Sequence, residues 1–404
     1  MPYDEKGGRY FRIIAVLLFL MIFTGLGFVS STRSLFVIPV SEALGVDRSV
    51  YSLVDSIRFV SMAIFNLFFG VLVARFGARR LIGVGFASLV LAMLLSAVSH
   101  HIIFYYLSGI FLGLGFTFAA TTMVGYVVSC WCPNNRGTVT GAVLAANGIG
   151  GALAIQIVSP LLTREEGFRS AYFVIAAVLL AVGAVTVILF RDRAPTPKPE
   201  TAKTDPTPSG TARAPRSFLL LAACVFLTGF VLQGITGVAA AHMRDIGISS
   251  SWVSTALSIH MVVLTCAKFL TGFLYDRFGL RVVVLVDMSG AILVSLLLAF
   301  MTGGALGVFF ALSYAVLSAL ALPLETVMLP IYAREFYGEA RFGQMLGVLV
   351  SVNTVGYALG SPCLNLVFDM TGSYFYAFLA SAGLMVLAML ALLIMIGKRN
   401  RGSL

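Results

Sequence analysis

Long apolar stretches alternate with short polar segments along the whole chain. Twelve such stretches can be marked, at residues about 11–38, 50–74, 81–99, 102–130, 137–162, 170–190, 217–241, 251–275, 282–301, 304–332, 342–368 and 373–397. A helix needs about 20 apolar residues to cross a bilayer, and lipid offers no partner to an unpaired backbone amide. The pattern therefore predicts an all-α membrane protein with twelve transmembrane helices, named spans 1 to 12 in chain order.

Composition favours the same class. Of the 404 residues, 59% are hydrophobic and 11% are charged, whereas soluble domains carry about 25% charged residues. So few charges could not cover the surface of a soluble protein of this size. The high apolar content and the 5 cysteines also exclude disordered, collagen-like and disulfide-rich classes.

A proline-rich segment interrupts the pattern between spans 6 and 7. Residues 191–216 hold six of the thirteen prolines, together with Thr, Lys and Ala. This composition is typical of a polar, extended linker. It divides the chain into an N-terminal six-helix bundle, residues 1–190, and a C-terminal six-helix bundle, residues 217–404.

The basic residues are distributed unevenly over the polar segments. If the N-terminus is cytoplasmic, twenty of the 27 Lys and Arg residues lie on the cytoplasmic side, four lie outside and three lie within spans. Cytoplasmic loops carry such an excess. We therefore expect a multi-pass protein of the cell (inner) membrane with both termini in the cytoplasm, and the net charge of +10 requires no nucleic-acid partner.

The two halves repeat each other. One segment recurs 202 positions later, as Gly70-Val-Leu-Val-Ala-Arg75-Phe-Gly77-Ala-Arg79 and Gly272-Phe-Leu-Tyr-Asp276-Arg277-Phe-Gly279-Leu-Arg281. Further matches at shifts of 205 and 206 are Arg136 with Arg341, Gly141 with Gly347, Asn147 with Asn353, and Gly150 with Gly356. Two parallel six-helix repeats indicate a transporter that holds its substrate between the halves and rocks around it.

The repeated segment resembles the signature of the major facilitator superfamily, found in the loops after spans 2 and 8. The resemblance covers nearly the whole chain and implies two pseudo-symmetric six-helix bundles, the major facilitator fold. It also implies a latch that stabilises one alternating-access state, formed by Gly70, Arg75, Gly77, Arg79, Asp276, Arg277, Gly279 and Arg281, with Arg136, Arg341 and Asn147 as further gate residues. Ala74 replaces the usual acidic residue in the first copy, so we expect a latch that is weaker in the N-terminal half or rests on Asp276.

Six charged residues lie inside the spans and away from their ends: Arg33, Asp55, Arg58, Lys268, Asp287 and Glu325. A charge at membrane depth is costly and indicates a functional site by default. A structural ion pair or a side chain that reaches the interface is the alternative for each. Asp55 and Arg58 lie three residues apart on one helix face and could pair.

The superfamily resemblance implies that spans 1, 2, 4, 5, 7, 8, 10 and 11 line the cavity, and it places all of these charges except Asp287 there. Arg33 and Lys268 come from opposite halves, so they would form a two-sided clamp for an anion. Glu325 is the expected proton-coupling carboxylate, with Asp55 and Arg58 as further coupling candidates. A static Glu325–Lys268 ion pair is the alternative.

Spans 1, 8 and 11 carry a narrower resemblance. The segment 32–42 is similar to span 1 of proton-coupled monocarboxylate transporters, where a lysine occupies the position of Arg33. Lys268 matches their substrate-binding arginine, and span 11 matches at Gly347, Gly360 and Pro362, with Asn353 in place of a glutamate. Bacterial oxalate/formate exchangers share this layout.

Two departures limit this resemblance. The aromatic–glycine motif of span 1 is absent, and Leu264 replaces the aspartate that the family ties to proton coupling. A proton symporter would therefore need another carboxylate, such as Glu325.

Other polar residues lie at the depth of the expected cavity: Tyr126, Gln233, His260, Asn147 and Asn353. Each could bind a carboxylate or close a gate, and helix–helix hydrogen bonding is the alternative. Gly148-Ile-Gly150-Gly151 lies inside span 5 with no preceding strand, which predicts close helix packing rather than nucleotide binding. The four histidines have no metal-ligand spacing and no nucleophile–base pair is visible, so neither a cofactor nor an enzyme activity is expected.

The sequence thus predicts a monomeric carrier for a small organic anion, such as lactate, pyruvate or formate, with proton symport. An exchanger of the oxalate/formate type is the nearest alternative. An exporter of drugs or cations would need more acids than bases in its cavity, and the two cross-half residues are basic. An anion sensor would need an output domain, which the twelve spans leave no room for.

Overall fold

The computed structural model describes residues 5–131, 136–164, 166–192, 216–322, 324 and 327–400. Within these ranges the α-helices are α1 Glu5–Ile22, α2 Val37–Leu44, α3 Arg48–Phe76, α4 Ala78–Val98, α5 Ile102–Phe118, α6 Thr121–Trp131, α7 Arg136–Leu161, α8 Gly167–Leu189, α9 Arg216–Asp245, α10 Ser250–Phe278, α11 Leu280–Ala299, α12 Ala305–Ala321, α13 Met328–Thr371 and α14 Phe375–Asn400. A π-helix, Phe23–Ser30, and a 3₁₀ helix, Arg33–Phe36, connect α1 to α2.

The all-α membrane fold predicted from the sequence is confirmed. Among the described residues, eleven helical stretches are long and apolar enough to cross a membrane, and one further apolar helix, Leu306–Ala321, is shorter. Each of the twelve lies within or across a predicted span. Most of the predicted linker, residues 193–215, lies outside the described ranges.

The structure corrects the predicted ends of three spans. Span 4 is interrupted between α5 and α6, where Ala119 leaves helical geometry with φ −128° and ψ 31°. Helix α12 ends at Ala321, eleven residues before the predicted end of span 10. Helix α13 then runs without a break over residues 328–371, through the segment predicted to be a loop between spans 10 and 11.

Span 1 is not one α-helix, because its middle is wound as a π-helix. The π segment contains Gly25 and Gly27, and a Cβ atom on Gly27 would lie 2.7 Å from the carbonyl carbon of Gly150. The chain of α7 therefore comes into backbone contact with this segment. Short π segments inside helices are frequent at functional sites, and Arg33 lies three residues after this one.

The two predicted signature turns have the same backbone geometry. Gly77 joins α3 to α4 with φ 79°, and Gly279 joins α10 to α11 with φ 77°. Both values lie in the region that glycine enters without steric cost. Each glycine N–H caps the preceding helix, at 3.0 Å from the Val73 carbonyl oxygen and 2.9 Å from that of Tyr275. The structure thus confirms the repeat at a shift of 202.

The helix bundle has two ends. The end that holds Gly77, Gly279 and the residues near both chain termini is called the signature end. The other end, which holds Arg48 and Asp245, is called the opposite end. Consecutive long helices run between these ends in alternating directions.

The glycines of α7 confirm the predicted close packing. A Cβ atom on Gly150 would collide with the carbonyl oxygen of Phe23, and one on Gly151 would lie 2.7 Å from Ser31 Oγ. On Gly148 it would meet the Met261 carbonyl oxygen of the other half at 2.7 Å.

We predict that Gly150→Ala destabilises the protein because the new methyl group meets main-chain atoms that cannot rotate away. Overpacking of this kind costs about 1–3 kcal/mol. Gly141→Ala is the matched control: it lies on the same helix, and no described atom lies within 4 Å of its Cβ position. The melting temperature of the detergent-purified variants measures the difference, and equal values for both variants would contradict the packing described here.

Candidate functional site

Arg33, Asp55 and Arg58 form a buried charged cluster, which we call the triad. Arg33 Nε lies 2.6 Å from Asp55 Oδ1, and Arg58 Nε lies 3.0 Å from the same oxygen. The side chains of the three residues are only 14%, 18% and 7% exposed. The pairing that the three-residue spacing of Asp55 and Arg58 allows is therefore present, and Arg33 joins it.

The surroundings of the triad hold the two arginines in place. The Arg58 guanidinium lies over the Phe59 ring at 4.2 Å and near the Phe116 ring at 5.3 Å. Such cation–π contacts favour a cation where water is scarce. Arg33 and the hydrogen-bonded Tyr51–Tyr172 pair line one small cavity, and the two hydroxyls are 3.1 Å apart.

The triad carries one positive charge in excess, because a single carboxylate faces two guanidinium groups. Burial of an uncompensated charge is costly, so the arrangement favours a bound anion. The inner cavity that the triad lines has a volume of about 190 Å³. From the C-terminal half it is lined by Gln233, His260 and Tyr314, among others.

A second, larger cavity of about 700 Å³ adjoins the first. Its lining is mostly apolar and includes Lys268 and Asn353. Leu26 and Asn147 line both cavities. Among the described residues that line either cavity, Asp55 is the one carboxylate.

The structure places the two clamp residues in different cavities. Arg33 lines the inner cavity and Lys268 lines the larger one. Asn147 lies at the junction, where its Oδ1 accepts a hydrogen bond from Ser31 Oγ at 3.4 Å. A two-sided clamp on one small anion stays a prediction, and so does a gate role for Asn147, which lines both cavities.

The other predicted polar residues separate into lining and packing residues. Asn353 is buried and donates to the Val225 carbonyl oxygen at 3.1 Å, as the helix-packing alternative expects. Tyr126 is not among the residues that line the two cavities, and it packs edge-on against the Phe69 ring at 6.1 Å. Asp287 is buried and accepts from Thr271 Oγ1 at 3.4 Å.

Three predicted residues cannot be placed in full. Glu325 lies outside the described residues. Arg136 and Arg341 lie on α7 and α13, and their side chains lie outside the described part.

In the N-terminal signature copy, Asp192 supplies the carboxylate that Ala74 lacks. Its Oδ1 accepts the Arg79 backbone N–H at 2.8 Å, and its carboxylate lies against Gly77. The Arg79 side chain donates to the carbonyl oxygens at the end of α8, at 2.7 Å for Val187 and 3.3 Å for Ile188. Asp192 follows span 6 directly, and only its position at the signature end could have indicated this role. Arg75 is exposed, and its guanidinium lies 5.4 Å from the Phe76 ring.

The C-terminal signature copy is more exposed. The Arg277 guanidinium lies 6.0 Å from the Phe273 ring and 5.7 Å from the Phe278 ring, and Asp276 and Arg281 are exposed. Nearby, Glu335 of α13 binds the Tyr275 hydroxyl of α10 and the Arg399 guanidinium of α14. Sequence reasoning did not identify Glu335.

At the opposite end a charged network joins the two halves. Arg48 of α3 makes a bidentate ion pair with Asp245 of α9, at 2.5 and 2.8 Å. Asp369 of α13 accepts the backbone N–H groups of Arg48 and Ser49, at 3.3 and 2.9 Å, and so caps α3 from the other half. A carboxylate at a helix N-terminus is favoured by the exposed N–H groups and the helix dipole.

Tyr374, between α13 and α14, completes this network. Burial raises the pKa of its hydroxyl, which therefore stays neutral and donates to Asn365 Oδ1 at 2.7 Å. The Asn365 amide in turn donates to Ser52 Oγ of the other half at 2.6 Å.

A second contact between the halves runs along α7 and α10. Ser254 donates to Ser159, Gln156 Nε2 donates to Ser258 Oγ at 3.0 Å, and Ser258 Oγ donates to the Ala152 carbonyl oxygen at 3.0 Å. We call this set the α7–α10 contact.

The helices that form these contacts, α3, α7, α10 and α13, have open positions toward the signature end. Each carries one glycine there whose Cβ position has no described atom within 4 Å: Gly70 of α3, Gly141 of α7, Gly272 of α10 and Gly347 of α13. The halves are therefore in contact at the opposite end, whereas a cavity lies between α7, α10 and α13 toward the signature end. The larger cavity is lined by Gly141 and lies on this side of Asn147.

Comparison with known families agrees with this architecture. The family model of the Major Facilitator Superfamily matches residues 12–360 and also 221–403. The chain belongs to this superfamily. Its members include secondary transporters, and the fold, the two repeats and the cavity between the halves fit that assignment.

Three relatives span different shares of the chain. The uncharacterized MFS-type transporter YcxA of Bacillus subtilis is 24% identical over 89% of each chain. The nitrite extrusion protein of the same organism is 23% identical over 83% of this chain and 82% of its own. The sialic acid transporter NanX of Escherichia coli is 23% identical over 59% of this chain and 58% of its own.

Among solved structures, the nucleoside transporter NupG has the same fold. Its TM-score is 0.76 at 15% sequence identity, with 95% of this chain and 98% of that chain covered. The superfamily resemblance is thereby confirmed, whereas the narrower monocarboxylate resemblance is not.

We predict that Asp55→Asn destabilises the protein, because it leaves two guanidinium groups buried without a counterion. Removing one partner of a buried ion pair costs about 3–5 kcal/mol. The double variant Asp55→Asn with Arg58→Met restores a single excess charge and should recover much of that loss. Melting temperatures in detergent measure both, and a double variant no more stable than Asp55→Asn alone would contradict the triad.

The α7–α10 contact predicts a cross-link between the halves. Cysteines in place of Ser159 and Ser254 should form a disulfide under mild oxidation, because the two hydroxyls are hydrogen-bonded in the structure. Mass spectrometry of the digested protein should find the linked peptide, and a reducing agent should remove it. The single variants control for the native cysteines, and a double variant without the linked peptide would show that the opposite end is not closed as described.

Proposed function

We propose that this secondary transporter moves a small organic anion, a monocarboxylate such as lactate, pyruvate or formate, by alternating access. The proposal places it in the cell (inner) membrane as a monomer, with both termini and the signature end in the cytoplasm. The inner cavity would hold the substrate, and the larger cavity would be its path from the cytoplasm.

The observation that carries the proposal is the excess charge of the triad. Two guanidinium groups and one carboxylate line a small cavity between the halves. A bound carboxylate would balance the excess charge with charge-assisted hydrogen bonds. Neutralisation of the cavity would then lower the cost of closing it away from water.

A drug or cation exporter is disfavoured by the same charges. Such a carrier would need acids in excess of bases, and the described lining of the two cavities holds Arg33, Arg58 and Lys268 against Asp55. The names of the relatives support an anion in part, since nitrite and sialic acid are both anionic at neutral pH. NupG is a nucleoside transporter, so the superfamily alone does not decide the substrate.

Proton symport is the coupling that we propose. An anion at the arginines would repel the Asp55 carboxylate, and a proton on Asp55 would relieve that repulsion. Glu325 is the second candidate, as the sequence predicts. Either carboxylate would then be protonated, and therefore neutral, while the transporter carries the substrate and the proton to the other side.

An exchanger for oxalate- or formate-type anions is the second candidate function. The observation in its favour is Lys268, which lines the adjoining cavity. Together with the triad it would offer a cation to each end of a dicarboxylate.

We predict that the purified protein in proteoliposomes takes up radiolabelled monocarboxylates, and that an inward proton gradient raises the uptake. Lys268→Ala should abolish uptake while folded protein remains in the membrane. Arg33→Gln should do the same, because the cavity then carries no excess charge. Glu325→Gln should lose the response to the gradient if Glu325 is the coupling carboxylate. Asp55→Asn should lose it if Asp55 is, and this variant is compared as folded, reconstituted protein because it is expected to be less stable.

The control is Arg80, an exposed arginine of α4, since Arg80→Gln changes charge without touching either cavity. Near-normal uptake by the Lys268→Ala variant would reject the clamp. Uptake of mono- and dicarboxylates without any proton effect would favour the exchanger.

A further inference from the structure

His260 and Tyr314 form a polar surface in the inner cavity, on the side that the C-terminal half supplies. Their rings stack with centroids 5.8 Å apart and an interplanar angle of 26°. Both side chains line the cavity and are buried, with 1% and 0% of their surface exposed. They come from α10 and α12, whereas the triad comes from the N-terminal half.

The hydrogen bonds of Ser318 fix which nitrogen of His260 carries the proton. Ser318 Oγ donates to the Tyr314 carbonyl oxygen at 2.5 Å, and this bond uses its one hydrogen. His260 Nδ1 lies 2.7 Å from the same Oγ. We assign the donor role to Nδ1, which donates to Ser318, so that in neutral His260 the other nitrogen, Nε2, is an acceptor.

Two polar atoms at this surface have no hydrogen-bond partner among the described residues. They are His260 Nε2 and the Tyr314 hydroxyl oxygen. Buried polar atoms without partners are rare and costly. In a cavity wall, their natural partner is a ligand.

We propose that His260 and Tyr314 select substrates that carry a hydrogen-bond donor beside the carboxylate, a hydroxyl group being the simplest case. The inference rests on the proposed function, which places the carboxylate at Arg33 and Arg58. The hydroxyl of the substrate donates to His260 Nε2, and the Tyr314 hydroxyl binds a neighbouring oxygen. A site built to bind a hydroxyl rejects an analogue that lacks it, because the buried polar atoms are then left unpaired.

Three acids of nearly equal size test this inference: lactate carries a hydroxyl, pyruvate a carbonyl and propionate neither. Uptake of each is measured in proteoliposomes with the wild-type protein. The expected result is a specificity for lactate at least tenfold above those for pyruvate and propionate. In the His260→Leu variant this ratio should fall to near one, because no buried acceptor then distinguishes the hydroxyl of lactate.

Two further variants test whether a change in this ratio reflects lost recognition of the hydroxyl or a general loss of transport. Ser318→Ala leaves the cavity-lining side chains in place but frees Nδ1, so that Nε2 can carry the proton, and the preference for lactate should fall. His242 is a second buried histidine, which binds the Leu298 carbonyl oxygen at 2.9 Å and does not line the cavity. The His242→Gln variant should keep the wild-type ratio.

The outcomes distinguish this inference from the function on which it rests. Equal uptake of the three acids by the wild type, or an unchanged ratio in both the His260→Leu and Ser318→Ala variants, overturns the selection by His260 and leaves the anion carrier intact. Uptake of none of the three, with any other small carboxylate also excluded, overturns the proposed function and this inference together.

Discussion

One aspartate shared by two buried arginines is the interaction on which the account of this protein depends. Asp55 contacts Arg33 and Arg58 at 2.6 and 3.0 Å within the membrane-spanning bundle. Such charges are costly at membrane depth, and the structure offsets the cost with ion pairing, with aromatic rings around Arg58 and with a polar cavity. In the proposed function, the remaining positive charge is what draws an anion into the cavity.

The contacts between the halves close this cavity toward one end of the bundle. At the opposite end, the Arg48–Asp245 ion pair, the Asp369 cap and the α7–α10 contact hold α3 and α7 against the C-terminal half. Toward the signature end the larger cavity lies between α7, α10 and α13, and Gly70, Gly141, Gly272 and Gly347 have no described atom within 4 Å of their Cβ positions. Alternating access requires the reverse arrangement as well, so the polar network must break when those glycines come into contact. Hydrogen bonds and ion pairs suit this purpose, because each group can exchange its partner for solvent once the halves part.

Local patterns predicted much of this architecture, and contacts between distant residues account for what they missed. The recurrence at 202 positions predicted the equivalent turns at Gly77 and Gly279, and hydropathy predicted the spans. The Arg33–Asp55 contact was not predicted, because it depends on how the π segment before Arg33 turns the chain. Asp192 and Asp245 lie at helix ends, where charges are common for reasons of topology alone, and no sequence signal distinguishes them. The long helix α13 also escaped prediction, since polar residues around Arg334 are equally typical of a loop.

Binding of a carboxylate to the purified protein tests the central claim most directly, because it requires neither a membrane nor a gradient. A ligand that binds only the folded state raises the melting temperature with its concentration. The account predicts that lactate raises the melting temperature of the wild-type protein, with chloride as the salt control, and that the effect is lost in the Arg33→Gln variant. Stabilisation by organic cations or nucleosides but by no small carboxylate would contradict it.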